Sequence, residues 1–184
     1  MITAELAATF ERCMAVGGVA VFGADTVYGL ACDPENEAAV HRLYALKGRP
    51  PEKPAAVMFF DLDELGDFGG LLPGGVTLLL PNPQRRFPLA CTTDPETLGV
   101  RVPFLAPVGR PVLQSSANLA GGPDAKRLED VPQSIRDGAD LVLDGGELPG
   151  IASTVIDLRT PEWRIVRQGA VSAHRVRAAQ RRNL

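Results

Sequence analysis

The sequence has 184 residues, of which 45% are hydrophobic and 22% are charged. This length and composition fit one globular domain with a substantial buried core, and they exclude disordered and collagen-like chains. Acidic residues outnumber basic residues by 22 to 19, so the net charge of −3 excludes a uniformly basic nucleic-acid-binding protein. Lysine is rare, and two of the three lysines, Lys47 and Lys53, lie in one short segment.

The hydrophobic pattern predicts helices and strands that alternate irregularly. In chain order we predict a helix at 3–16, strands at 19–22 and 26–30, a helix at 36–46 capped by Asn36, strands at 55–60, 77–80, 98–102 and 112–115, a weak helix at 125–136, strands at 141–143, 154–158 and 163–166, and a basic helix at 173–182. Some neighbouring strands are separated by a helix and others only by a turn, which favours an α/β domain with a mixed sheet. No repeat or low-complexity linker interrupts the pattern, so we expect a single domain over 1–184.

Membrane and disulfide-stabilised proteins are not favoured. The longest apolar runs, such as 76–80, are far shorter than the ~20 residues of a membrane-spanning helix. The N-terminal segment lacks the basic start and apolar block of a signal peptide, so we expect a cytoplasmic protein with no membrane partner. Cys13, Cys32 and Cys91 are widely spaced and form no CxxC pair, which fits reduced thiols rather than disulfides or a zinc site.

Common catalytic and nucleotide-binding motifs are missing from the sequence. There are two histidines, His41 and His174, and no GxSxG motif, so a histidine-dependent hydrolase is not favoured. Neither GxxxxGK[ST] nor a GxGxxG turn after a strand occurs. Any nucleotide must therefore be held in another way.

Three polar segments suggest a binding site. The turn at 23–30 can expose a hydroxyl, a carboxylate and backbone N–H groups, although it is also compatible with an ordinary tight turn. The segment 47–53 places lysines beside the planar fork of Arg49, which suits a triphosphate, or it simply places cations at the end of a helix. The segment 114–118 carries hydroxyls and a carboxamide that can bind phosphate or ribose, or can form a polar turn.

Seven short motifs occur in a fixed order, and their order is more specific than any one of them. They are DTVYGL at 25–30, KGRP at 47–50, PGGVT at 73–77, GVRVP at 99–103, SSAN at 115–118, STVID at 153–157 and VRQG at 166–169. Together they resemble the YrdC-type family of threonylcarbamoyl-AMP synthases. The resemblance covers about residues 19–171 and leaves a basic C-terminal helix at about 172–184.

The resemblance implies a fold and an activity. The fold is a YrdC-like domain with a twisted, mixed sheet, flanking helices and a concave, positively charged substrate cleft. The activity is that of a nucleotidyltransferase, which joins L-threonine, bicarbonate or CO2 and ATP into threonylcarbamoyl-AMP and releases pyrophosphate. Downstream machinery transfers the threonylcarbamoyl group of that product to tRNA. Mg²⁺ is expected to accompany ATP, although the sequence shows no dedicated set of metal ligands.

The resemblance also implies roles for individual residues. A catalytic polar tetrad falls on Lys47, Arg49, Ser116 and Asn118. ATP contacts fall on these four and on Lys53, Thr77, Asp124 and Arg167. Threonine contacts fall on Thr26, Tyr28, Met58, Arg101 and Ser153. These residue types suit their roles, because an arginine fork can bind the carboxylate of threonine and cations can offset the charge of a triphosphate.

The sequence departs from the family pattern at several positions. Gly23 and Ala24 replace the usual Pro-Thr before Asp25, Met58 stands where some members carry histidine, and Asp124 stands where serine is frequent. An acidic residue beside a phosphate repels it unless a metal ion or a nearby cation intervenes.

Two other functions are compatible with the sequence. One is a divergent relative that adenylates another carbamoyl compound, which activity with carbamoyl phosphate in place of threonine would reveal. The other is a non-catalytic module that contacts tRNA or another RNA through the basic tail. The basic residues of the tail are His174, Arg175, Arg177, Arg181 and Arg182, and this pattern is more typical of a solvated helix face.

Overall fold

The computed structural model describes residues 4–63, 65, 68–104 and 109–182 of the chain. In chain order its elements are α1 (Ala4–Ala15), β1 (Ala20–Gly23), β2 (Tyr28–Cys32), α2 (Glu37–Lys47), β3 (Ala56–Met58), β4 (Val76–Pro81), α3 (Pro88–Cys91), β5 (Thr97–Arg101), β6 (Val112–Ser116), a 3₁₀ helix (Leu128–Asp130), α4 (Gln133–Gly138), β7 (Leu141–Val142), β8 (Thr154–Asp157), β9 (Arg164–Arg167) and α5 (Ala173–Gln180). None of the helices in these ranges is long and apolar enough to cross a membrane.

The nine strands of the described ranges form one sheet, in the order β7-β1-β2-β6-β3-β5-β4-β8-β9. Three neighbouring pairs are parallel, β1 with β7, β3 with β5 and β4 with β8. The other five neighbouring pairs are antiparallel. The predicted mixed sheet with flanking helices is thereby confirmed.

Different helices cover the two faces of the sheet. Alternation along β1 places Val21 in a larger apolar cluster with residues of α2, α4 and α5, and places Ala20 and Phe22 in a smaller cluster with α1. In the smaller cluster the rings of Phe10 and Phe22 are tilted, with centroids 5.1 Å apart. Polar residues are few on the central strands, and several of them, such as Thr77, Arg101 and Gln114, line the site described below.

Two predictions in the second half of the chain differ from the structure. The pattern at 125–136 predicts one weak helix, whereas the structure has the 3₁₀ helix and then α4, which starts after Pro132. Proline lacks a backbone N–H and is tolerated only at the start of a helix, so it divides the segment. The basic terminal helix ends at Gln180 rather than at 182, and residues 183–184 lie outside the described ranges.

Two differences occur in the first half. Strand β2 begins two residues later than predicted, because 24–27 form a tight turn in which the Thr26 N–H donates to the Ala24 carbonyl at 2.9 Å. The short helix α3 has no predicted counterpart. Residue 3, where the first helix was predicted to begin, lies outside the described ranges.

Candidate active site

A cavity of about 190 Å³ lies on the α1 side of the sheet, over strands β6, β3, β5, β4 and β8. On each of these strands, a residue next to the lining residue packs in the larger apolar cluster on the other face of the sheet. Because successive side chains of a strand point to opposite faces, the lining residue points towards the cavity. The strand residues in the lining are Ala56, Thr77, Arg101, Gln114, Ser115, Ser116 and Val155. Loop residues and the edge strand β9 add Arg49, Asp124, Ser153 and Arg167, so the charged lining consists of three arginines and one aspartate.

The pairing register brings together lining residues that are distant in sequence. Thr77 on β4 pairs with Val155 on β8, and Val155 pairs with Arg167 on β9. In the same sheet Ala56 on β3 pairs with Gln114 on β6. Directly opposed residues in a sheet have Cβ atoms about 5 Å apart, so side chains from five strands form one cavity wall.

Helix α2 carries the first predicted cationic segment to the edge of this cavity. Asn36 caps the helix as predicted, because its Oδ1 accepts from the Ala39 N–H at 3.0 Å. Gly48, with φ of 59°, ends the helix in the left-handed conformation that favours glycine. Lys47 is therefore the last helical residue, and Arg49 follows the turn.

The Lys47 ammonium is buried and donates to the loop that follows β6. Lys47 Nζ lies 2.8 Å from both the backbone oxygen and Oδ1 of Asn118, contacts the Ser116 carbonyl, and lies 3.5 Å from Ser116 Oγ. Burial and then repulsion from Arg49 lower the pKa of Lys47 to about 8, while Asp124 acts in the opposite direction. The structure thus gathers Lys47, Ser116 and Asn118 of the predicted tetrad into one hydrogen-bonded unit.

The loop after β6 is also fixed by its own hydrogen bonds. Ser116 Oγ lies 2.6 Å from Asn118 Oδ1, and Asn118 Nδ2 donates to the Gly122 carbonyl at 2.6 Å. The Ala120 N–H donates to the Lys47 carbonyl at 2.8 Å. Ser116 faces the cavity, whereas Lys47 and Asn118 are outside the lining and support the loop from behind.

Arg49 and Lys53 occupy different environments. Arg49 lines the cavity, donates from Nη2 to the Pro54 carbonyl at 2.5 Å, and lies with its guanidinium carbon 5.6 Å from the centre of the Tyr44 ring. Its buried Nε has no hydrogen-bond partner in the described part of the chain. Lys53 is exposed and lies outside the lining, and its backbone carbonyl accepts from the Tyr44 hydroxyl at 2.7 Å.

Thr77, Ser153 and Arg167 form a second polar cluster in the lining. The hydroxyl oxygens of Thr77 and Ser153 are 2.7 Å apart, and both residues are buried. Arg167 Nη2 donates to the Ser153 carbonyl at 2.8 Å and lies 3.4 Å from Ser153 Oγ. The family resemblance assigns Thr77 and Arg167 to ATP and Ser153 to threonine, so the two predicted subsites adjoin here.

Arg101 is held by a buried polar network at the end of β5. Its Nη2 donates to Asp25 Oδ1 at 2.8 Å, to Thr26 Oγ1 at 3.2 Å and to the Ala24 carbonyl at 3.3 Å, and its Nη1 donates to Gln114 Oε1 at 3.1 Å. Burial lowers the pKa of Arg101 and raises the pKa of Asp25, and the attraction between the two groups opposes both shifts. Arginine stays charged at this burial, so the Asp25–Arg101 contact is an ion pair.

The side chains of Met58 and Tyr28 are not brought to the cavity. Met58 is fully buried in the smaller apolar cluster with Phe10, Phe22 and Val112, and it is absent from the lining. The buried Tyr28 hydroxyl instead lies 2.8 Å from Asp144 Oδ1 and 2.9 Å from the Gly146 carbonyl, and it accepts from the Gly145 N–H at 2.8 Å. The family resemblance implies threonine contacts for both residues, but in the structure their side chains serve packing and loop anchoring.

The remaining predicted residues and two unassigned ones complete the site. Asp124 is exposed and contributes the carboxylate of the lining, as a residue of the loop before the 3₁₀ helix. Gln114 and Asp25 contact Arg101 directly; both lie in polar segments that the sequence singled out, but neither is among the predicted site residues. Their signal in the sequence is weak: a carboxamide inside an apolar strand and a carboxylate inside a turn between apolar strands.

Comparisons with known proteins agree on one family. The family model Sua5/YciO/YrdC, described as telomere recombination, matches residues 12–169. The threonylcarbamoyl-AMP synthase of Pseudomonas aeruginosa (strain UCBPP-PA14) is 38% identical over 168 residues, which cover 82% of this chain and 90% of that protein. The threonylcarbamoyl-AMP synthase of Bacillus subtilis (strain 168) is 29% identical over 180 residues, which cover 87% of this chain but 52% of that protein. The chain therefore spans about half the length of the Bacillus relative and most of the Pseudomonas relative.

A solved structure shares the fold over almost the whole chain. The crystal structure of P. abyssi Sua5 complexed with L-threonine aligns with a TM-score of 0.87 and 25% sequence identity. The alignment covers 97% of this chain and 58% of the P. abyssi chain.

Proposed function

This chain belongs to the Sua5/YciO/YrdC family, and we propose that it is an L-threonylcarbamoyladenylate synthase. It joins L-threonine, bicarbonate or CO2 and ATP into threonylcarbamoyl-AMP and releases pyrophosphate. The names of the Pseudomonas and Bacillus relatives and the threonine bound to P. abyssi Sua5 support this assignment. The product is then consumed in the cytoplasm by the machinery that modifies adenosine in tRNA.

The single observation that carries the proposal is the shared cavity. It combines three arginines with the hydroxyls of Thr77, Ser116 and Ser153, although these residues come from segments far apart in sequence. Arginine forks and hydroxyl donors are the groups that bind phosphate and carboxylate oxygens. A cavity with this lining suits a polyphosphate next to an amino acid.

The proposed reaction is a displacement at phosphorus. The threonine amine attacks CO2 to give a carbamate, and a carbamate oxygen then attacks the α-phosphorus of ATP while pyrophosphate leaves. Such a step depends on positioning and charge neutralisation rather than on an enzyme nucleophile. We assign Arg49 and Arg167 to the charge of the phosphates, and Ser116 and Thr77 to hydrogen bonds with phosphate oxygens. We assign Arg101 to the threonine carboxylate.

The other predicted residues divide by position. Lys47 and Asn118 act on the nucleotide by holding the Ser116 loop, and we classify them as positioning residues. Ser153, in the lining, and Thr26, which lies outside it with Oγ1 3.2 Å from Arg101 Nη2, remain the proposed contacts for the threonine hydroxyl. Lys53 is exposed and outside the lining, so we assign it to the outer end of the triphosphate.

We propose that Mg²⁺ enters with ATP rather than at a site of its own. Among the described residues there is no group of three or more His, Cys, Asp or Glu side chains that could hold a metal ion. Asp124 is the carboxylate in the cavity lining, which fits a cation whose other ligands are phosphate oxygens and water. When bound, Mg²⁺ neutralises part of the triphosphate charge.

The proposed function is tested by pyrophosphate release. Purified protein incubated with ATP, Mg²⁺, bicarbonate and L-threonine should release pyrophosphate only when threonine is present. Arg49→Ala should abolish most of this release, whereas Arg12→Ala, which removes an exposed arginine on α1, should leave it unchanged. Threonine-independent release by folded protein, or none at all, contradicts the proposal. Activity with carbamoyl phosphate in place of threonine would instead identify a divergent carbamoyl-adenylating enzyme.

A second property, RNA contact, is favoured by one observation on α5. The exposed basic side chains of α5 and of the two residues that follow it form no ion pair within the described part of the chain; they are His174, Arg175, Arg177, Arg181 and Arg182. Uncompensated arginines on one helix can bind phosphates of RNA, so we propose that tRNA contacts this helix. A titration with tRNA at increasing salt tests the idea: the affinity should fall steeply with salt and should be lost in a triple variant Arg177→Gln, Arg181→Gln, Arg182→Gln. Equal binding by that variant contradicts the RNA contact.

A further inference from the structure

Asp25 and Arg101 form a buried ion pair in which each partner retains an unused polar atom. Their side chains are 10% and 5% exposed, and Arg101 Nη2 lies 2.8 Å from Asp25 Oδ1. Asp25 Oδ2 and Arg101 Nε are both buried, and neither has a hydrogen-bond partner in the described part of the chain. One unused acceptor and one unused donor therefore lie on the same ion pair.

Such an arrangement is costly unless a ligand completes it. Burying a charged oxygen without a hydrogen bond destabilises a fold, and native proteins leave few polar groups in that state. Neighbouring groups leave these two atoms unpaired. Thr26 and Ala24 contact Arg101 through Nη2, and Arg167 acts on Arg101 by repulsion. Burial raises the pKa of Asp25 and hydrogen bonding from Thr26 to its carboxylate opposes this shift, but Oδ2 has no partner within hydrogen-bond distance in the described part of the chain. Arg101 lines the cavity, whereas Asp25 lies outside the lining and contacts Arg101 directly. The two unused atoms therefore point to a ligand, bound at the Arg101 end of the cavity, that has a cationic donor and an anionic acceptor.

The backbone around Asp25 is built to hold its carboxylate in place. Asp25 has φ of 64°, in the left-handed region that residues other than glycine seldom adopt. The turn is closed on both sides, because the Thr26 N–H donates to the Ala24 carbonyl at 2.9 Å and the Ala24 N–H donates to the Val27 carbonyl at 3.0 Å. Aspartate adopts this conformation more readily than most residues, and the closed turn fixes the direction of its carboxylate.

We propose that Asp25 recognises the α-ammonium group of the amino-acid substrate, with Oδ2 accepting its hydrogen bond. An α-amino acid is a zwitterion, so its ammonium complements Asp25 while its carboxylate complements Arg101. The inference rests on the proposed function, which supplies the amino-acid substrate, and it makes Asp25 the residue that distinguishes an amine from an uncharged substituent. Asp25 acts in binding, before the amine loses its proton and becomes the nucleophile.

The test compares two ligands that differ only at the proposed contact. By calorimetry we would measure the affinity of L-threonine and of 2,3-dihydroxybutanoate, in which a hydroxyl replaces the ammonium. The wild-type protein should prefer threonine by at least about tenfold, because a charge-assisted hydrogen bond is lost with the analogue. Asp25→Asn should weaken threonine binding by about the same factor and leave the analogue nearly unchanged, so that the preference disappears.

Several controls separate recognition from folding. Asp63→Asn changes an exposed aspartate and should keep the wild-type preference. ATP affinity and thermal unfolding report whether Asp25→Asn is folded, and Asp25→Glu, which keeps the charge, should restore part of the preference. If Asp25 only orients Arg101, Asp25→Asn will weaken both ligands equally, which overturns the inference.

The wild-type protein alone also gives a decisive result. Equal affinity of the wild type for threonine and the analogue overturns the role of Asp25 even if no variant folds. Absence of binding to any α-amino acid overturns the proposed function and this inference with it. Loss of the preference in Asp25→Asn with retained ATP binding supports both.

Discussion

Lys47 and Asn118 are 71 positions apart in the sequence, yet Lys47 Nζ lies 2.8 Å from both Asn118 Oδ1 and the Asn118 backbone oxygen. The last residue of α2 thereby fixes the loop that follows β6. The same ammonium contacts Ser116, whose side chain borders the cavity. One buried charge thus couples the stability of this loop to the geometry of the site.

Removing that charge should destabilise the protein. Lys47→Met leaves the oxygen atoms of Asn118 and Ser116 without their donor, so we expect the free energy of unfolding to fall by about 2–4 kcal/mol. Lys126→Met is the matched control, because Lys126 is half exposed and its 3.4 Å ion pair is with an equally exposed Glu147. In urea denaturation, Lys126→Met should lower the free energy of unfolding by less than about 1 kcal/mol. Equal losses in the two variants would show that the buried contacts add nothing.

Arg167 should contribute to catalysis far more than its neighbour on the same strand. Arg167→Ala removes a charge from the cavity lining and should lower threonine-dependent pyrophosphate release by about 10²-fold or more. Arg164 lies on the same strand with its side chain 76% exposed, so Arg164→Ala should stay within about twofold of the wild type. Steady-state kinetics with varied ATP will measure both effects. A similar loss in both variants would point to damage to β9 rather than to a site residue.

Tyr28 should act on stability rather than on threonine binding. Its hydroxyl anchors 144–146, so Tyr28→Phe should lower the free energy of unfolding by about 1–2 kcal/mol. The KM for threonine should change by less than about twofold, because a few lost contacts outside the lining leave the pocket intact. A raised KM with unchanged stability would instead support the threonine contact predicted from the motif.

The buried thiol of Cys32 should make stability fall at alkaline pH. Burial and, to a lesser extent, Asp33 raise the pKa of Cys32 to about 12 from 9.0. The unfolded thiol loses its proton at lower pH than the folded one, so the contribution of Cys32 is fully present below about pH 9 and is lost between about 9 and 12. Over this range Cys32 lowers the free energy of unfolding by at most about 1.4 kcal/mol per pH unit.

A comparison of the wild type with Cys32→Ala isolates this contribution. We would measure the unfolding free energy of both proteins at about pH 8, 9 and 10. The wild-type value minus the Cys32→Ala value should fall as the pH rises. Cys13 and Cys91 titrate in both proteins and cancel from the difference. A difference that does not change with pH would refute the role of Cys32.

Local signals in the sequence were sufficient for most of the secondary structure. The cap residue Asn36 and the terminating Gly48 define α2, and apolar runs bounded by turns define the strands in their correct order. The segment at 125–136 was mispredicted, because its weak apolar periodicity outweighed the single proline at 132. Strand β2 was displaced because Thr26 has high strand propensity but is held in a turn by its backbone contacts.

The sequence alone was enough to identify the enzyme family. Its short motifs occur in the family's order, and each motif keeps the residue types that its chemistry needs. Only the tertiary structure decided which of those residues face the cavity. Lys47 is turned onto Asn118, Arg101 is paired with Asp25, and Met58 is buried under α1. The physical reason is that alternation along a strand tells only which residues share a face of the sheet. Which face is covered depends on how the helices pack, and which charges meet depends on long-range strand pairing.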